Sequence, residues 1–306
     1  MKRLEQCLEV GLVHGGLFPQ ASRDTRILYD SIELIAQDPF FERIELGPIQ
    51  DGTARKIVRR LTETAKLKVS YLAQPLIFQE KIDLQSQDES IRQQGIQRVK
   101  SWIEEAQQLG ADQIAIISGP NDVEQEDTAL HRLADSIIQL EEETRACSLQ
   151  LLLELFDSDK DKRRFIGSTN RARHLMNLVE AYAPTFRLKI DLSHIPLLDE
   201  SIQSTVFPLQ QWIGHVHIGN TVVAREDSRY GDSHPYFGYP AGSHDSQEVA
   251  DFLRALRHTG YIYDSRKASL SIETIAAQDE RASLLIANAK RTLMQAWEKL
   301  EEDEHA

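Results

Sequence analysis

Four residues in this chain carry side chains that are costly to bury, and they stand where burial is hard to avoid. Glu154 follows the apolar run Leu151-Leu152-Leu153 and precedes Leu155-Phe156. Asp191 follows Leu188-Lys189-Ile190, His217 sits in Gly214-His215-Val216-His217-Ile218, and Glu273 follows Leu270-Ser271-Ile272. Taken singly, each has an ordinary explanation. Glu154 could pair with a lysine or arginine inside a barrel, and Asp191 could cap the turn after it. His217 could be a satisfied core histidine, and Glu273 could pair with a basic residue such as Lys267. Together they are three carboxylates and one imidazole on four consecutive strand-like segments. If the C-terminal ends of those segments converge, they form a hard, oxygen-rich donor set for one divalent ion. Mn²⁺ fits that set best, with Mg²⁺ and Co²⁺ as alternatives; a structural zinc site would use cysteine and more histidine.

The elements that must position these groups are legible in the hydrophobic pattern. Eight short apolar or β-branched runs read as strands: Leu8 to Val13, Arg43 to Leu46, Leu67 to Leu72, Gln113 to Ile117, Leu149 to Phe156, Arg187 to Leu192, Gly214 to Ile218 and Ser269 to Thr274. Nearly continuous runs such as Ile114-Ala115-Ile116-Ile117 suit parallel strands covered on both faces. Helical stripes lie between them. Ile96, Val99, Ile103, Ala106 and Leu109 recur every three or four residues, as do Leu130, Leu133, Ile137 and Leu140. The last stripe runs through Leu285, Ala289, Leu293, Trp297 and Leu300. Gly110 directly after Leu109 suits a helix C-terminus. This alternation predicts an α/β fold, a single (β/α)8 TIM barrel. A doubly wound open sheet is the alternative, but no G-x-G-x-x-G follows the first strand, only Gly15-Gly16. With no Pro/Gly/Ser-rich linker, residues 1–306 read as one domain. Arg225 to His244 reads as a long ordered loop after the seventh strand, because Tyr230, Tyr236, Phe237 and Tyr239 argue against disorder. The acidic run Glu301-Glu302-Asp303-Glu304 reads as a solvated end.

Composition excludes several classes. Of the 306 residues, 41% are hydrophobic and 27% charged, which argues against a disordered or fibrous chain. No apolar run approaches the ~18 residues of a membrane helix, and Met1 to Gln6 lacks the apolar core of a signal peptide. Cys7 and Cys147 are far apart and have no metal-ligand spacing. A cytoplasmic protein with free thiols and no membrane partner is therefore expected. The net charge of −13, from 35 basic and 48 acidic residues, is the reverse of what phosphate neutralisation needs, so no nucleic-acid partner is expected.

The residues also carry a resemblance. Glu154, Asp191-x-x-His194, His215-x-His217 and Glu273, with Ile44-Glu45-Leu46 and the Gln108-Leu109-Gly110-Ala111 stretch leading into Ile114 to Gly119, resemble the xylose-isomerase-like barrel superfamily of sugar isomerases and epimerases. The similarity covers the whole barrel. The resemblance to its tagatose/psicose epimerase branch implies that Glu154, Asp191, His217 and Glu273 bind one Mn²⁺ or Co²⁺. It also implies that Glu154 and Glu273 exchange protons with substrate and that His194 binds sugar oxygens. The sequence departs from that branch after the His-x-His pair. Asn220 and Thr221 follow Gly219, Val223 stands where an arginine is usual, and Arg225 is the nearest arginine offered for substrate binding. The loop segment Gly231-Asp232-Ser233-His234-Pro235 is somewhat similar to metal-dependent C-glycoside deglycosidase subunits of the same superfamily.

These residues suggest a mechanism. A proton α to a carbonyl is too weakly acidic for a free carboxylate to remove quickly, so a cation beside the carbonyl oxygen must stabilise the enediolate charge. Two glutamates on different strands can then remove and return the proton, inverting a centre or moving the carbonyl. The expectation is a metal-dependent isomerase or epimerase of carbohydrate metabolism. Its substrate would be a non-phosphorylated sugar or polyol derivative, since no Walker-type loop announces a phosphate. His234 in the long loop would supply a donor or proton to that substrate. A homo-oligomer is expected, with an accessory subunit as the variant the deglycosidase likeness implies. Three alternatives stand beside this reading. One is a lyase or deglycosidase that enolises an oxidised glycoside and expels its aglycone. The others are an abasic-site endonuclease, which would need a richer His/Glu/Asp set, and a non-catalytic sugar-binding protein.

Overall fold

In the computed structural model, which describes residues 3–263 and 266–303, the strands close on themselves. They are β1 (Leu8–Val13), β2 (Arg43–Leu46), β3 (Lys68–Leu72), β4 (Gln113–Ile116), β5 (Gln150–Glu154), β6 (Arg187–Asp191), β7 (Ile213–Ile218) and β8 (Ala268–Ile272). Each pairs in parallel with the next, and β8 pairs with β1 from Leu8↔Ala268 to Leu12↔Ile272. The open-sheet alternative is thereby excluded: the fold is a single (β/α)8 TIM barrel. The eight runs read from the sequence are the eight strands, with small shifts at their ends. β5 ends at Glu154; the Leu155 N–H still donates to Lys189 O on β6, and the chain then leaves the sheet, the Phe156 N–H donating to Ile166 O. β8 stops at Ile272, which leaves Glu273 on the rim.

The helices form where the stripes predict. Ile96, Val99, Ile103, Ala106 and Leu109 are all buried on the helix Glu89–Leu109. Asp88 caps its start by accepting from the N–H groups of Ser90 and Ile91, and Gly110 ends it at φ +73°. The last helix, Ala282–Asp303, carries the third stripe. It includes residues 301–303 of the acidic run; Glu304 lies outside the described residues, as do Met1 and Lys2 of the N-terminal segment. No described helix is long and apolar enough to cross a membrane.

Alternation along each strand decides what enters the lumen. Val13, Leu72, Ala115 and Leu152, from β1, β3, β4 and β5, make an apolar cluster there. The opposite wall is polar, with Glu45, Lys189, His215 and His217 all buried. Beneath them, Arg43 on β2 is 2% exposed and holds the lower lumen together. Its guanidinium donates to both carboxylate oxygens of Asp112 (2.5 and 2.9 Å), to Glu9 (2.8 Å) and to Ser70 (2.8 Å). Removing one partner from such a buried network leaves the others uncompensated. Arg43→Met should therefore lower unfolding free energy by about 3–5 kcal/mol. A loss below about 1 kcal/mol in urea unfolding would show that Glu9 and Asp112 find other partners.

Candidate active site

The four sequence-selected groups meet at the C-terminal mouth of the barrel. One ligand atom from each of Glu154, Asp191, His217 and Glu273 lies within 4.8 Å of all the others. Glu154 and Asp191 are the last residues of β5 and β6, His217 is next to last in β7, and Glu273 follows β8 directly. The ordinary explanations are partly true as well. Glu154 Oε2 is 3.5 Å from Lys189 Nζ and accepts from Gln74 Nε2 at 2.5 Å. Asp191 Oδ1 accepts from the Ser193 N–H at 2.7 Å, which caps the turn Leu192–His194. Lys267 pairs with Glu42 and not with Glu273.

Those contacts leave a remainder that structural roles do not account for. Asp191 Oδ2 is buried and has no hydrogen-bond partner, although His217 Nδ1 is 3.6 Å away and His194 Nε2 3.9 Å away. A buried carboxylate oxygen without a donor is costly. A cation between Glu154, Asp191, His217 and Glu273 would satisfy it. His217 is oriented for this: its Nε2 donates to Glu45 Oε1 (2.9 Å), which turns Nδ1 toward Glu273 Oε2 (2.7 Å) and the cluster. A histidine fixed by a carboxylate through its second nitrogen is the usual support for a metal ligand. The donor set therefore fits a divalent ion.

A second group adjoins the first. Asp191, His194 and His234 also offer ligand atoms within 4.8 Å of one another. Asp232 joins the two histidines, with Oδ1 3.1 Å from His194 Nε2 and 2.7 Å from His234 Nε2. His194 Nδ1 donates to Leu155 O at 2.6 Å, and its ring packs on Phe156 with centroids 4.2 Å apart. His234 Nε2 is 3.8 Å from Glu273 Oε1. The long loop delivers Asp232 and His234 because it is pinned at several points. Asn220 Oδ1 accepts from the N–H groups of Thr221 and His244, and Asn220 Nδ2 donates to Tyr236 O. Phe237 is buried and exchanges backbone hydrogen bonds with the Asn288 side chain. Arg225 is solvent-exposed, and the structure does not bring it to the cluster. Arg229 is the anchored arginine of the loop, donating to Ser233 O and Ile275 O.

A model of the xylose isomerase-like TIM barrel family matches residues 26–295. The chain belongs to that family. Among solved structures, it is similar to a D-tagatose 3-epimerase-like protein, with 18% identity, TM-score 0.72, and 97% of this chain and 99% of that one covered. It is similar to the IolI protein with a bound zinc atom (14% identity, TM-score 0.73, 96% and 99% covered). It is also similar to the 3-keto-D-glucoside 4-epimerase YcjR from E. coli (15% identity, TM-score 0.62, 96% and 99% covered). No match was found among curated proteins.

The upper lumen of this xylose isomerase-like barrel concentrates acid: Glu45, Glu154, Asp191 and Asp232 are at most 7% exposed by side chain, and Glu273 20%. Burial by itself raises the pKa of a carboxylic acid. For Glu45 the charges of His217 and Lys189, with the hydrogen bond from His215, outweigh burial and hold it well below the ordinary range. For Glu273 burial is outweighed by His234 and His217, so it too is lowered. The histidines respond in kind. Burial works against the charged ring of His194, but Asp232 and Asp191 push its pKa up to about 10. Burial is likewise overcome at His234, which Glu273 and Asp232 push up to about 9. His217 is raised well above its ordinary value, chiefly by Glu45 acting against burial. His215, one step deeper, is pushed down to about 4 by burial and stays neutral.

Sequence reasoning misses Glu45, Lys189, Gln74 and Asp232 as members of the site. Lys189 carries a signal: it is two residues before Asp191, so it shares the lumen face. Asp232 carries none, because its place depends on the loop's path. Gly219 is one condition of that path. A Cβ there would stand 2.5 Å from His234 Nδ1 and 3.2 Å from Glu273 O, so only glycine leaves room for the imidazole. Gly219→Ala should displace His234 and cost about 1–3 kcal/mol by overpacking. An unchanged thermal midpoint would mean that the loop yields without strain.

Proposed function

We propose that this protein is a divalent-metal-dependent isomerase or epimerase. Its substrate would be a non-phosphorylated sugar or polyol derivative, and the proton transfer would pass through an enediolate. The observation that carries the proposal is the convergence of Glu154, Asp191, His217 and Glu273 around an orphaned Asp191 oxygen. The printed descriptions of two structural neighbours, a tagatose 3-epimerase-like protein and a 3-keto-glucoside 4-epimerase, support the reaction class. An ion held by the four residues would supply positive charge beside the substrate carbonyl and a neighbouring hydroxyl. Mn²⁺ is the expected ion on this oxygen-rich set, with Mg²⁺ and Co²⁺ as alternatives and the zinc of IolI as the comparison.

The chain's own residues do the rest. Glu154 and Glu273 stand on strand ends separated by β6 and β7, so they reach a substrate in the mouth from different sides. One removes the α-proton and the other returns it. Glu273 is ionised at neutral pH, its pKa lowered by His234 and His217, and so is able to accept the proton. Gln74 fixes the Glu154 carboxylate in place. His194 is held by Leu155 O at one nitrogen and Asp232 at the other, and it presents a charged ring to substrate oxygens. His234 is tied to the same Asp232 and supplies a second donor. Arg225 is left out of this proposal, since nothing joins it to the mouth.

The lyase reading is supported by one further observation. His194 and His234 both lie on Asp232, and His234 is 3.8 Å from Glu273; these carboxylates raise the imidazole pKa values, and an imidazole that holds a proton can pass it to a departing aglycone. A solvent-deuterium exchange screen by NMR, over ketoses and oxidised sugars with Mn²⁺ added, tests both. Label at one substrate carbon with an isomeric product supports the epimerase, and a released aglycone supports the lyase. Glu154→Gln and Glu273→Gln should each slow exchange at least ~10²-fold. Near-wild-type exchange in both variants would refute the two-base mechanism.

Metal content is tested independently of substrate. Asp191→Ala should fold yet lose its metal by elemental analysis. In the metal-free protein both nitrogens of His217 face carboxylates, so the ring is protonated and must lose a proton to become a ligand. For one displaced proton, affinity should weaken about tenfold per pH unit as pH falls. Affinity that is flat between pH 8 and pH 6 would remove His217 from the ligand set. A stoichiometry of two ions would load the Asp191, His194 and His234 group as well. That outcome would return the endonuclease alternative, for which a salt-dependent DNA shift is the check.

A further inference from the structure

The opposite end of the barrel holds a cavity of about 770 Å³ lined, among the described residues, by the starts of β5 to β8 and by residues that precede β7 and β8, Tyr261 and Arg266 among them. Its volume falls within the range typical of small-molecule sites. The β6–β7 pairing is irregular beside the cavity. Their register passes from Leu188↔Ile213 to Lys189↔His215, and Gly214 is left without a partner. A Cβ on Gly214 would lie 2.5 Å from Arg187 Cβ, so the glycine makes room for that arginine. Tyr261 Oη, donating to Ser269 O (2.6 Å) and approaching Gly214 O (3.3 Å), ties the bulged residue to β8.

The charge of this cavity runs against that of the chain. The protein carries −13, yet Arg187, Arg266 and Lys267 line the space, and no carboxylate does among the described residues. Lys267 is neutralised by Glu42. Among the described residues, Arg187 donates to the carbonyls of Pro184 and Phe186, and Arg266 rests over the Tyr263 ring. Two guanidiniums thus share one concave polar surface without a carboxylate partner among the described residues. The planar fork of arginine matches the oxygens of phosphate and carboxylate.

The cavity also touches the active site by hydrogen bonds. Ser269, on its wall, donates to His215 Nδ1 (2.8 Å); His215 Nε2 donates to Glu45 Oε1 (2.7 Å); Glu45 Oε1 accepts from His217 Nε2 (2.9 Å). We propose that the cavity at the N-terminal end of the barrel binds a small phosphorylated or carboxylated metabolite through Arg187 and Arg266, and that the Ser269–His215–Glu45–His217 line carries its occupancy to the catalytic end. Nothing in the binding half of this proposal depends on the isomerase reading.

The test uses the full chain stripped of divalent ions by a chelator, so that no bound ion can recruit the anion. Inorganic phosphate and citrate are titrated separately by calorimetry, and saturation by either one supports the site and says which oxyanion it takes. Arg266→Gln should weaken binding about tenfold, and Arg187→Gln with Arg266→Gln should abolish it while the thermal midpoint is retained. If the double variant unfolds, the exposed Arg266→Gln change decides alone. In ¹⁵N-histidine-labelled protein the His215 and His217 resonances should move as the anion saturates, and Ser269→Ala should suppress that movement without preventing binding. Absence of saturable binding by both anions, or undiminished binding in the arginine variants, overturns the site. Histidine resonances that stay still at saturation overturn the connection.

Discussion

The upper half of the barrel depends on the ammonium of Lys189. It is fully buried, 3.2 Å from Glu45 and 3.5 Å from Glu154, and those two carboxylates with Glu273 raise its pKa against the burial that would lower it. An isolated buried charge is untenable, whereas a group of alternating sign with fixed geometry is not. Lys189 lets Glu45 stay ionised in the centre of the lumen. Glu45 in turn orients His215 below and His217 above. His217 then faces Asp191 and Glu273. The proposed metal site is the top of a column of paired charges, and each layer sets the direction of the next.

That column is possible because the lumen is divided. Val13, Leu72, Ala115 and Leu152 fill one side with apolar volume, and the charged groups of the upper lumen lie on β2 and on β6 to the end of β8, with Glu154 at the boundary. A site spread evenly round the barrel would have to satisfy polar groups on all eight walls. The apolar side also keeps the local dielectric low, which strengthens every pairing opposite it. The same condition leaves Asp191 Oδ2 exposed to the full cost of lacking a partner.

Contrast decides which of these features can be read from sequence. Glu154, Asp191 and Glu273 interrupt runs of leucine and isoleucine, so they stand out in the amino-acid sequence alone. The strand order follows from the same runs. Glu45 sits in a strand of only four residues, too short for alternation to show which side chains face inward. Lys189 looks like a solvated lysine unless its parity with Asp191 is noticed. Asp232 belongs to a loop whose course is set by the Asn220 clamp, the Phe237–Asn288 contact and the space above Gly219, and none of these has a periodic signature. Arg225 recommends itself only by proximity in sequence, and loops break the relation between proximity in sequence and in space.

The division between strand and loop residues also separates two kinds of chemistry. Groups on strand ends are fixed by the barrel's hydrogen bonding, which suits ligands that must hold one geometry. Asp232 and His234 come from the loop, and His234 adopts a φ of +41°, a region that non-glycine residues seldom occupy. Such a conformation persists only where surrounding contacts over-determine it. Here the ion pair to Asp232 and the gap above Gly219 do so. A barrel of this family can therefore keep its strand-borne centre while the loop after β7 changes the donors presented to the substrate. The departure from the epimerase branch that the sequence resembles, Val223, falls in the segment after β7, and the same segment brings the Asp232–His234 pair in beside His194. Under the proposed function, substrate choice would accordingly be governed by loop contacts more than by the four groups beneath them.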